Sequence, residues 1–269
     1  GEARVRLDVS VQAISTVPPN YVVPVTIDHA RWVTQGLAAA NGADLTVAVL
    51  PDAGVVERLP VTLDLQTSTN ASDTRLMVRL PRAMPAGTSL DFSVFLGVLD
   101  GGTLGGPDPV FLFADGFESG DFSRWVVPPG SPSLLVAPMG PDGGFAALSR
   151  PLGAFALQQQ LFAAMSTLPD DVELTGLVKM SAPDVAQFGW FMRALPPPSD
   201  TSLNFGPDGF SGANRWALGY RQGGGFTRDT TTTLLVPPGV WQRFTYSAIG
   251  SGHRGCSESL CMPTTGFQA

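Results

Sequence analysis

The chain has 269 residues, and at roughly 150 residues per domain this predicts two domains. Only 14% of the residues are charged, against about 25% in an average globular chain, while 31 Gly and 24 Pro together make 55 residues, about a fifth of the whole. Long solvent-exposed helices need charged faces that this composition does not supply, so a helical fold is excluded in favour of short strands joined by many turns. A net charge of −7 and the lack of any basic stripe exclude binding to a nucleic-acid backbone, and no stretch of about 18 apolar residues is present to span a membrane.

The clearest strand comes first. Val5, Leu7, Val9 and Val11 alternate with Arg4, Arg6, Asp8 and Ser10, the period of a half-buried strand. Further alternating or β-branched runs at 21–27, 45–50, 55–63, 75–80 and 89–96 are separated by Pro, Asn, Asp and Gly clusters at the spacing of a sandwich. Within this half only 34–40 reads as a helical turn. The stretch 97–109, GVLDGGTLGGPDP, has five Gly, two Pro and no core-forming period, and reads as a linker. The expected division is therefore an N-terminal β-sandwich at 1–97, a linker at 98–109 and a second β domain at 110–269.

The second half opens with 110–113 and the aromatic-acidic run 115–125, DGFESGDFSRW. Strands are expected at 133–137, 145–148, 172–181, 187–194, 216–221, 231–236 and 241–249. Residues 154–165, AFALQQQLFAAM, carry Ala154, Leu157, Leu161 and Met165 at near-helical spacing without Gly or Pro, so propensity predicts one short helix there. Residue 1 is Gly and no basic-then-apolar leader follows, the expectation for a mature chain after signal-peptide removal. The two cysteines, Cys256 and Cys261, lie in GCSESLC. A small disulfide loop in an oxidising compartment is the preferred reading, with two buried free thiols as the alternative.

Catalytic signals are weak. A glycosidase needs two carboxylates about 5 to 10 Å apart. The nearest sequence pairs, Asp171 with Glu173 and Glu118 with Asp121, lie in turns where solvated carboxylates are expected. Ser251 and His253 sit in a Gly-Ser-Gly-His stretch, but sequence adjacency does not make a triad. Calcium takes six to eight oxygens, often from loops, which makes Asp115 and Asp121 the candidate metal ligands and Asp142 and Asp208 weaker ones, since Pro-Asp-Gly is first a turn signature. Four of the five Trp lie in the second half. Trp125 and Trp241 are expected in the core. Trp190 and Trp216, beside Arg193 and Arg215, are candidates for stacking on sugar rings, and Tyr220 joins Trp190, Arg193 and Trp216 as the expected ligand-binding set. Asn70-Ala71-Ser72 matches a glycosylation acceptor and implies an exposed loop.

Residues 110–125, VFLFADGFESGDFSRW, resemble the opening of concanavalin A-like (laminin-G-like) jelly-roll domains of secreted bacterial proteins, followed by the similar pieces VELTGLVKMS, FGWFMRAL, RWALGYRQGGGF and PPGVWQRFTYS. The first half is similar to a bacterial and archaeal surface domain that precedes such jelly rolls, through YVVPVTI, NGADLTVAV, RLMVRLP and PAGTSLDFSVFLG. The resemblance implies an all-β pair of tandem sandwiches that is secreted or attached to the cell surface and non-catalytic, with ligand binding presumed for the jelly roll; taken with the Trp-rich second half, it makes a polysaccharide or surface glycan the expected partner. Family members carry several strands after the Trp-led one, whereas 20 residues follow Ile249 here. Either the chain is a fragment or its jelly roll is incomplete, with an uncovered edge that would suit pairing in a homo-oligomer or larger surface assembly. A structural subunit and a sandwich-fold glycoside hydrolase are the competing expectations.

Overall fold

A computed structural model describes residues 3–50, 56–98, 102, 104–127, 134–141, 143–149, 162–163, 171–180, 190–192, 202–208, 215–222, 225–257, 260–262 and 265–266. The chain is all-β, with antiparallel sheets throughout, and divides into two compact units, 1–114 and 115–269.

The first unit contains β1 (Val5–Gln12), β2 (Val22–Ile27), α1 (His29–Thr34), β3 (Thr46–Val49), β4 (Glu57–Arg58), β5 (Val61–Leu63), β6 (Thr74–Arg79) and β7 (Ser89–Leu96). One sheet has the order β1-β7-β3-β4 and the other β2-β6-β5. The alternation in β1 fixes its register: Val5 pairs with Leu96, Leu7 with Val94 and Val9 with Phe92, so that the apolar members of both strands share one face. That face meets Val23, Val25 and Ile27 of β2 and Leu76 and Val78 of β6 in a single core. Pro24 is tolerated because β2 is an edge strand.

Three expectations are corrected in this unit. The run 55–63 is two strands in different sheets. Leu59 N–H donates to Val47 O of the first sheet at 2.8 Å, and one residue on, Pro60 O accepts from Arg79 N–H of the second at 3.0 Å, so the chain changes sheets at a residue with no N–H to lose. The helical turn lies at α1 rather than at 34–40, started by the Asp28 carboxylate, which accepts from Arg31 N–H at 3.0 Å.

The described residues of the Gly/Pro-rich stretch after β7, 98, 102 and 104–109, belong to the first unit, and Gly102, Leu104 and Gly105 are hydrogen-bonded to it rather than standing free as a linker. Gly102 N–H donates to Ala43 O at 2.7 Å, Gly105 N–H donates to Val61 O at 3.0 Å, and Leu104 forms a parallel bridge with Val61 and packs on the core. A Cβ on Gly102 would lie 2.4 Å from Leu45 O and 2.6 Å from Ala43 O, so glycine is there for close backbone approach. Gly102→Ala is therefore expected to lower the unfolding free energy by about 1–3 kcal/mol, measured by urea titration, whereas a linker would tolerate the change.

The second unit contains β8 (Trp125–Val126), β9 (Leu134–Ala137), β10 (Ala146–Ser149), β11 (Phe162–Ala163), β12 (Val172–Val178), β13 (Trp190–Met192), β14 (Ser202–Asp208), β15 (Arg215–Gln222), β16 (Gly225–Leu235), β17 (Gln242–Ile249), β18 (Gly252–Ser257), β19 (Leu260–Cys261) and β20 (Thr265–Gly266). Its larger sheets run β12-β17-β18-β19, with β20 also on β18, and β13-β14-β15-β16. They share a core in which Phe205 and Trp216 of one sheet meet Phe244 and Tyr246 of the other. Most of the expected helix at 154–165 lies outside the described residues, and the described part, Phe162–Ala163, is β11 paired with β8. The Gly-Ser-Gly-His stretch turns directly into β18, which adds to the free side of β17. Cys256 and Cys261 face each other across β18 and β19 and are joined as a disulfide.

Candidate functional site

The aromatic-acidic run at 115–125 folds into a self-contained clasp. Asp115 accepts from Phe117 N–H through Oδ1 at 2.8 Å and from the Trp125 indole N–H through Oδ2. Phe117 takes a left-handed backbone, φ 61°, and lays its ring parallel to Trp125 with centroids 5.7 Å apart. Asp121 Oδ1 accepts from Ser119 Oγ–H at 2.8 Å and from Ser123 N–H at 2.9 Å, and these bonds, Ser123 first and Ser119 after it, hold its carboxyl below the ordinary value. Both aspartates proposed as metal ligands thus serve their own turn. Among the described residues no three His, Cys, Asp or Glu side chains are grouped so as to share an ion. Trp125 is half-buried in this clasp.

Of the carboxylates of the sequence pairs, Glu118 and Asp171 are likewise turned to backbone, whereas Glu173 lies within β12 rather than in a turn, and desolvation holds its carboxyl above the ordinary value with Arg243 acting the other way. Glu118 accepts from Phe145 N–H at 3.1 Å, and Asp171 accepts from Gly250 N–H at 2.7 Å. His253 is buried and lies 3.1 Å from the Tyr246 hydroxyl through Nδ1, on the core side of β18. Asp142 lies outside the described residues. Asp208 ends β14 opposite Arg215, so the second Gly-Pro-Asp continues a strand rather than making the expected turn.

Three of the four residues expected to bind ligand fall on one sheet. Trp190 is paired with Phe205 across β13 and β14, and Tyr220 is paired with Leu203 across β14 and β15. Arg193 lies outside the described residues. Trp216 is 1% exposed and stacks on Phe205, centroids 4.8 Å apart at 15°, which removes it from any ligand's reach. Tyr220 is half-buried against the same core. The apolar neighbours Ala217, Leu218, Leu203 and Phe205 decided this, a tertiary preference for burial that the neighbouring Arg215 did not reveal.

A built polar surface lies instead in the first unit. The residues that alternate with the core side of β1 and β7 form an open groove of about 320 Å³, in which Asp8 is paired with Ser93 and Ser10 with Asp91, flanked by Arg6 and Leu50. Ser93 is 2% exposed and donates its hydroxyl to Asp8 Oδ1 at 2.7 Å. Arg6 Nε donates to the same oxygen at 2.7 Å and to Ser93 Oγ at 3.2 Å. The Ser93 bond, and after it the Arg6 bond, hold the Asp8 carboxyl below its ordinary value. One oxygen of Asp8 is thus fixed by a three-residue network at the wall of the groove. The diagonal neighbours on such a ladder stand about 7–8 Å apart, so Asp8 and Asp91 are spaced to bracket one small ring. The alternation of Arg6, Asp8 and Ser10 was the only sequence sign of this face, and it reads equally as a solvated strand surface.

No family model matches the chain, and neither a curated protein nor a solved structure matches it.

Proposed function

We propose that the chain is a non-catalytic, secreted or cell-surface binding module for a polysaccharide or surface glycan, as the resemblance to surface domains and jelly rolls implies, with its site in the β1–β7 groove. The observation that carries this reading is the network Arg6–Asp8–Ser93. It fixes one carboxylate oxygen on the ladder, while Arg6, Asp8, Ser10 and Asp91 together line the groove. Sugar hydroxyls both donate and accept, and carboxylate and guanidinium groups side by side satisfy neighbouring hydroxyls in both senses. Leu50, 37% exposed, supplies an apolar flank for a ring face. The Cys256–Cys261 bridge supports a placement in an oxidising compartment.

In a glycosidase reading of Asp8 with Asp91, the Asp8 carboxyl, held below its ordinary value, would not fit the part of the protonated general acid. The test is a glycan array run with and without calcium on the wild type and on Asp91→Ala, which truncates an exposed side chain. The expected result is binding to at least one neutral glycan that Asp91→Ala weakens tenfold or more. Binding to no glycan overturns the reading, and release of reducing sugar from any bound glycan would replace it with the hydrolase. A requirement for calcium would assign the ion a role in the site.

A further inference from the structure

His29 opens α1 and is fully buried. Its Nδ1 accepts a hydrogen bond from Asn70 N–H at 2.8 Å, on the turn between β5 and β6. A backbone N–H can only donate, so Nδ1 is unprotonated and the ring is the neutral tautomer with its hydrogen on Nε2. Nε2 makes no hydrogen bond within the protein. Asn70 itself holds a left-handed backbone, φ 60°, which this bond helps to fix. The rest of the turn is tied separately: Thr74 Oγ1 donates to Ser68 O at 2.9 Å and accepts from Ala71 N–H at 3.3 Å.

We propose that His29 is an acid-sensitive latch on the 68–71 turn: protonation of Nδ1 sets two donors against each other and releases Asn70, while Thr74 keeps its own part of the turn. Among charged groups, Asp44 acts on the ring from the connection into β3. On α1 Asp28 accepts from the backbone of Arg31, and on the strands around the turn Asp64 is paired with Arg75 at 3.3 Å while Asp73 is exposed. Burial lowers the ring's affinity for a proton below the ordinary 6.5, and Asp44 offsets part of that. The folded ring therefore binds fewer protons than the unfolded one below pH 6.5. The latch is closed above that value and opens as the pH falls through the ring's lowered one.

The test is hydrogen exchange of the Asn70 and Ala71 amides in the whole chain at a series of pH values, expressed as protection relative to the free chain, with the His29 ring followed by NMR. The expected result is a loss of Asn70 protection of about tenfold per pH unit between pH 6.5 and the ring's own lowered titration, with Ala71 protection retained. In Asp44→Asn the titration of the His29 ring should move to lower pH. In His29→Asn, whose amide oxygen can replace Nδ1 as acceptor, protection should not change with pH. Equal Asn70 protection across the series overturns the latch, whether or not the ring titrates. Simultaneous loss at Asn70 and Ala71 overturns it as well, because that is acid unfolding.

Discussion

Trp216→Ala is expected to destabilise the second unit by about 3–5 kcal/mol, the cost of removing a fully buried indole from a core that cannot close around the space. The ring is 1% exposed, stacks on Phe205 and faces Phe244 at 6.5 Å between centroids. Hydrogen exchange should show the loss at Leu203, Phe205 and Tyr246–Ala248, with Leu76 and Val78 of the first unit unchanged. A Trp216→Ala protein of wild-type stability that had lost glycan affinity would return this residue to a ligand site and contradict the buried placement.

Gly255→Ala should also cost heavily, at or above the upper end of the roughly 1–3 kcal/mol typical of overpacking. A Cβ on Gly255 would stand 2.2 Å from Cδ2 and Cε2 of Phe205. That ring has little room to yield, with Trp216 stacked on it and Tyr246 at 5.4 Å between centroids. Glycine at this position of β18 lets the two larger sheets approach over an aromatic ring. Phe205→Leu in the Gly255→Ala background should recover part of the loss in urea midpoint. Strict additivity of the two changes would show that the contact is not the cause.

These two residues mark where reading the sequence stops. Nothing in RWALGYRQ distinguishes an indole offered to solvent from one stacked inside, because alternation assigns residues to faces and leaves open what each face meets. Gly255 sits in HRGCS, where glycine reads as a loop. The need for it comes from Phe205, 50 residues earlier.

The strands of the first unit were legible in the sequence. In β1 and β7 the alternation alone fixes both the strand and its register, since a slip of one residue would turn Val5, Leu7 and Val9 to water. Composition correctly excluded a helical fold for the same reason, too little charge to solvate helix faces. The split at Pro60 was less legible, because an apolar run carries no sign of which sheet it joins. Gly102 misled outright, since glycine signals both a free chain and a backbone pressed against another backbone, and only the carbonyls of Ala43 and Leu45 tell the two apart.

The candidate site follows the same division. The sequence by itself determined that Arg6, Asp8 and Ser10 share a polar face and picked out 115–125 as one aromatic-acidic run. The tertiary structure decided what those groups do. Pairing with β7 set Ser93 beside Asp8 and made a fixed network of a solvated strand face, while the clasp turned the oxygens of Asp115 and Asp121 inward to its own turn. Likewise the sequence placed the helical turn at 34–40, and only the fold showed the Asp28 cap and brought Asn70, 41 residues on, to the ring of His29. Hydrogen-bond partners distant in sequence are chosen by how the sheets pack, and local pattern carries no record of that choice.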